Sequence, residues 1–140
     1  MTMTRYWFGF TLRDVTFEDA VARVTDALKN EEFGVLTEID VRQTFKKKLD
    51  VEFRPYVILG ACNPPLAKRA LEADPHIGLL LPCNVIVEQQ AEGQVHIAIA
   101  DPKAMFTLVD NPAVASVAEE VEQRLRRVID AVSGKSRLPV

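Results

Sequence analysis

Leu79-Leu80-Leu81-Pro82-Cys83-Asn84-Val85-Ile86-Val87, then Gln90-Ala91-Glu92-Gly93, then Val95-His96-Ile97-Ala98-Ile99 is the stretch that decides the fold. Val95, Ile97 and Ile99 recur at every second residue, the period of a strand with one face in a core. Leu79 to Val87 reads as the preceding strand, bent at Pro82. The four residues between them have hairpin length, and Gly93 offers the positive φ that a tight connection needs. One hairpin of this kind makes the sheet antiparallel at this point.

Upstream, Tyr6, Phe8, Phe10 and Leu12 alternate with Trp7, Gly9 and Thr11 and predict a first strand. Thr16 caps a helix with Asp19 three residues on, and Phe17, Ala20, Val21, Val24 and Leu28 form its apolar stripe. A second strand carries Phe33, Val35, Thr37 and Ile39 on one face and Gly34, Leu36 and Glu38 on the other. Asp40 and Gln43 open a short helix through Leu49, with Lys46, Lys47 and Lys48 in its last turn, where cations complement the carbonyl end of the dipole. Arg54 to Ala61 is a third strand, apolar on both faces and therefore expected to be central and covered twice.

Pro64-Pro65 starts a helix that Asp74-Pro75 ends, and Ala104 to Val109 reads as a short helical turn. Asn111 and Pro112 open the last helix, whose stripe runs Val114, Val117, Ala118, Val121, Leu125, Val128, Val132 until Gly134 stops it. The order βαβαβαββα predicts an α+β domain over residues 1–134, a mainly antiparallel five-stranded sheet with helices packed on it. Lys135 to Val140 reads as a frayed tail.

The chain has 140 residues, 48% hydrophobic and 26% charged, with a net charge of −3. That balance offers no global attraction to nucleic acid or to an anionic membrane. The N-terminus has no sustained apolar run, so neither a signal peptide nor a membrane span is expected. Two cysteines without an export signal predict reduced thiols in the cytoplasm.

Phe33-Gly34-Val35-Leu36-Thr37-Glu38-Ile39-Asp40-Val41, Lys46-Lys47-Lys48-Leu49 and Phe53 through Ala67 closely resemble one prokaryotic family. Gly78 through Val85, Asp101-Pro102 and Met105 continue the match. The chain is similar to the domain-of-unknown-function family three-hundred-and-two over roughly Arg5 to Val132. The resemblance implies a small α+β domain, often a homodimer, with a fold similar to the saddle-like sheet of TATA-binding proteins. It implies no activity and no cofactor, and fold analogy alone does not license DNA binding.

The candidate chemistry gathers at two Cys-Asn dipeptides, Cys62-Asn63 and Cys83-Asn84, each beside proline. Cys62 precedes the helix opened by Pro64-Pro65, where free N–H groups would lower a thiol's pKa. Asn63 has an amide to cap that helix or hold a ligand carbonyl. Cys83 shares a strand face with Val85 and Val87, which favours burial. Glu38 is expected to pair with Arg54, and the Tyr56 hydroxyl could contribute to a pocket, although a buried aromatic with a satisfied hydroxyl is the plainer account; all three are ligand-binding candidates. Spacing for a closed metal site is missing, and Cys62, Cys83 and His76 are its weak candidates. His96 alternates outward from Val95 and Ile97. Trp7 could stack a ligand, although sheet core or a dimer face explains it more simply.

These residues predict a binding or accessory protein whose pocket, around the two Cys-Asn turns, takes a small molecule or a metal ion. The alternatives are a thiol enzyme using Cys62, redox or nucleophilic, and an interaction module in which the turns are purely structural.

Overall fold

The computed structural model describes residues 5–134, so the tail expected over 135–140 lies outside it. In chain order its elements are β1 (Trp7–Arg13), α1 (Phe17–Asn30), β2 (Gly34–Asp40), α2 (Val41–Leu49), β3 (Tyr56–Cys62) and α3 (Pro64–Ala73). After a 3-10 turn (Pro75–Leu80) come β4 (Cys83–Ala91), β5 (Gln94–Ala100), α4 (Pro102–Met105), a second 3-10 turn (Phe106–Leu108) and α5 (Pro112–Ser133). The strands form one antiparallel sheet in the order β1-β5-β4-β3-β2. The expected α+β class, with five strands and helices packed on them, is what the chain adopts.

The caps follow the local chemistry. Thr16 accepts from the Asp19 amide at 3.0 Å, Asp40 from Gln43 at 2.9 Å and Asn111 from Ala113 at 2.9 Å. Each satisfies a backbone donor that the first helical turn leaves open. Gly93 takes φ +71° in the β4–β5 turn, and Gly134 takes φ +85° after α5.

The helices α1, α3 and α5 lie on one face of the sheet. Their stripes, including Val24, Leu28, Leu66, Val117 and Leu125, meet Val57, Leu59, Val85, Val87, Ile97 and Ile99 in a single buried core. Among the described residues no helix is long and apolar enough to cross a membrane.

Three expectations are corrected. β3 is an inner strand, between β4 and β2, but it is not covered twice: it has helices on one face while Ile58 on the other stays half-buried. The apolar residues of that second face suggested a double cover that the packing does not supply. Leu79 and Leu80 belong to the 3-10 turn, so the fourth strand begins only at Cys83, past Pro82. In β2 the register shifts between Val35 and Thr37. This bulge at Leu36 breaks the alternation, so Val35 stays with the core while Thr37 and Ile39 turn to the opposite face.

Candidate functional site

The sheet face away from α1, α3 and α5 is built in rungs. Tyr56, Glu88, His96 and Thr11 lie opposite one another across four strands. The next rung is Ile58, Ile86, Ala98 and Gly9, and a third holds Gly60 beside Asn84 and Trp7 beside Ala100. Because strand side chains alternate, fixing Val85, Val87, Ile97 and Ile99 in the core sends Asn84, Ile86, Glu88 and His96 to this open face.

Small residues make the face concave. At Gly9 a Cβ would stand 2.1 Å from the Ile97 carbonyl oxygen, so β1 runs too close to β5 for any side chain there. Over this gap Trp7 and His96 meet edge to face, with ring centroids 5.4 Å apart and an interplanar angle of 86°. The Arg5 guanidinium lies 4.3 Å from the centre of the Trp7 ring. His96 Nδ1 shares a hydrogen bond with Thr11 Oγ1 at 3.2 Å. The resulting groove has a volume of about 560 Å³ and is bordered by Trp7, Tyr56, Asn84, Ile86, Glu88 and His96. That is the size range of a small-molecule site, with an apolar floor and a few convergent polar groups.

Arg54 Nε donates to Glu88 Oε2 at 2.6 Å, and the Glu88 side chain is only 15% exposed. The expected Glu38–Arg54 pair does not form. Glu38 is exposed on β2, and Arg54, just before β3, turns to the neighbour on its other side. Burial, and then the Glu88 charge, raise the Tyr56 phenol above its usual pKa.

Cys62, Asn63 and Cys83 border one small cavity, while Asn84 lies apart from it. Cys83 is the register partner of Ala61 and follows it to the core face, and Cys62, the last residue of β3, borders the same cavity. Asn63 is buried and uses Oδ1 to cap α3, accepting from the Leu66 amide at 3.2 Å. Asn84 is exposed on the open face. What lies between Cys62, Cys83, Phe33, Leu66 and Phe106 is an apolar cavity of about 20 Å³, room for about one water.

Both thiols are free. Burial pushes Cys83 up to about 11, with a smaller contribution from Cys62. Cys62 is also raised, by burial, so desolvation outweighs the lowering expected from the start of α3. His76 is exposed in its 3-10 turn, with Nδ1 3.7 Å from Asp74 Oδ1. Among the described residues, no three His, Cys, Asp or Glu side chains gather into a cation site.

Of the residues singled out in the sequence, Tyr56 and Asn84 border the groove and Arg54 supports it through Glu88. Cys62, Asn63, Cys83, Glu38 and His76 lie elsewhere. Glu88 and Ile86 were missed. The signal for them was the alternation of Asn84, Ile86 and Glu88 opposite Val85 and Val87.

The model of the family described as "Domain of unknown function DUF302" matches residues 8–132. The chain belongs to this family. A crystal structure of an uncharacterized conserved DUF302 protein from Bacillus stearothermophilus is similar at 28% identity, with a TM-score of 0.83. The match covers 92% of this chain and 99% of that one. No curated protein matches the chain. The DUF302 assignment thus carries fold and kinship.

Proposed function

We propose that this DUF302 chain is a small-molecule binding protein whose site is the open-face groove rather than the cysteine turns. The observation that carries this reading is the contrast in room. The groove offers about 560 Å³ with aromatic and polar borders, whereas the cysteine cavity is about 20 Å³ and almost wholly apolar. Supporting it further, Trp7, the single tryptophan, presents a π-surface at the groove beside Asn84, which is exposed. The raised pKa of both thiols weighs against a thiolate enzyme.

The same reading takes the protein as a homodimer, in a compartment that keeps both cysteines reduced. The outer edge of β2 supports it, since Leu36 at 67% and Ile39 at 49% exposure stand on a terminal strand of the sheet. Sedimentation at micromolar concentration should give twice the chain mass, and a clean monomer would remove this part of the proposal.

Trp7 makes the site testable by emission. A panel of small flat aromatics should shift or quench Trp7 in the native chain and fail to do so in Asn84→Phe, whose ring would fill the groove from an exposed position. Binding that survives Asn84→Phe unchanged would place the ligand elsewhere.

A further inference from the structure

Resting on the groove reading, we infer that the ligand is a neutral, flat, two-ring nitrogen heterocycle that presents adjacent N–H donors to Glu88. The Glu88 carboxylate has one oxygen, Oε2, held by Arg54 at 2.6 Å, and among the described residues none donates to Oε1. A carboxylate that is 85% covered yet short of donors gains most from a ligand that brings them. The pairing with Arg54 also sets the ligand's charge. The local pair is already neutral, so a cationic ligand would meet the guanidinium, while a neutral N–H edge meets only acceptors. One N–H would reach Oε1 and its neighbour the remaining lone pair of Oε2, the parallel geometry that carboxylates accept well.

The size follows from the strand. Asn84 and Glu88 point the same way four residues apart, about 13 Å along β4, with Ile86 between them as a floor. Two fused rings with a hydrogen bond of about 2.9 Å at each end span that distance, and one ring does not. Asn84 is exposed and supplies an amide with both a donor and an acceptor, without a hydrogen-bond partner among the described residues, to meet the far edge. Trp7 and Tyr56 border the two sides, and aromatic borders suit a flat ring. The chemistry is that of a guanine or pterin edge, in which an exocyclic amino group adjoins a ring N–H.

Guanosine and purine riboside separate the parts of this inference, because they share sugar and bicycle and differ in the donor edge. Trp7 emission is titrated with each in the native chain, in Glu88→Gln and in Asn84→Ala, with circular dichroism confirming the fold. Glu88→Gln keeps an oxygen for Arg54 and loses the carboxylate. Guanosine should bind about tenfold or more tighter than purine riboside, and Glu88→Gln should erase that difference. Asn84→Ala should weaken both ribosides together. Equal binding of the two ribosides, indifferent to Glu88→Gln, would overturn the donor-edge inference and leave the groove reading standing. No response to either riboside would overturn the inference as well. If the aromatic panel also fails to bind, the groove reading falls with it.

Discussion

Arg54 reaches across from the start of β3 to Glu88 on β4, Nε to Oε2 at 2.6 Å, and leaves Glu38 on the opposite neighbour exposed. The choice follows from position in the sheet. β4 is central and its carboxylate is partly desolvated, so a guanidinium gains more there than beside a solvated acid on the edge.

Removing Arg54 should therefore cost more than removing Glu38. Arg54→Ala leaves Glu88 covered and without its partner, for a loss of about 1–3 kcal/mol. Glu38→Ala should stay within about 0.5 kcal/mol. Urea denaturation of the two variants checks this, and equal losses would return the pairing to Glu38.

Gly9 and Gly34 give opposite expectations for the same substitution. A Cβ at Gly9 meets the Ile97 carbonyl at 2.1 Å and the Ala98 Cα at 2.7 Å, whereas one at Gly34 meets nothing within 4 Å. Gly9→Ala should destabilise by about 2 kcal/mol or more, since backbone cannot step aside as a side chain can. Gly34→Ala should be neutral or slightly stabilising. Thermal melts of the pair decide it.

The cysteines should shape the alkaline limb of stability. Cys83, raised to about 11, stays protonated in the fold at a pH where the unfolded thiol has begun to ionise. Stability from this group is whole below about pH 9 and drains away as pH rises toward about 11, by an amount on the order of 1–3 kcal/mol. Cys83→Ala should flatten that part of the curve relative to the native chain. At neutral pH the variant retaining only Cys62 should alkylate faster than the one retaining only Cys83, because its thiol is the less enclosed.

Duplex DNA should not be bound specifically. Lys46, the first of the three clustered lysines, already pairs with Asp50 at 3.2 Å and Glu52 at 3.4 Å. The cluster ends α2, where carbonyl groups face outward and a phosphate finds no N–H. Salt-sensitive, sub-micromolar enrichment of one sequence from a random duplex library would defeat this expectation.

The fold was legible because its signals are local. Thr16, Asp40 and Asn111 cap the helices they announce, and the heptad-like stripe from Val114 to Val132 is the face that α5 buries. What escaped was non-local. The bulge at Leu36 leaves no mark in a run of Val, Leu, Thr and Ile, yet it re-aims Thr37 and Ile39. Leu79 and Leu80 look like strand residues until Ile77 is seen to anchor their turn in the core. The site suffered most from proximity in sequence standing in for proximity in space. Cys83 and Asn84 are adjacent in the chain and face opposite sides of the sheet, while Asn84 and Trp7, 77 positions apart, border one groove.

Amide chemical-shift mapping tests the central claim most directly, because it reports every part of the chain at once. On addition of the small flat aromatics, perturbations should cluster at Trp7, Asn84, Ile86, Glu88 and His96 and spare Cys62, Asn63 and Leu66. Shifts confined to the cysteine cavity, with the open face silent, would contradict the account.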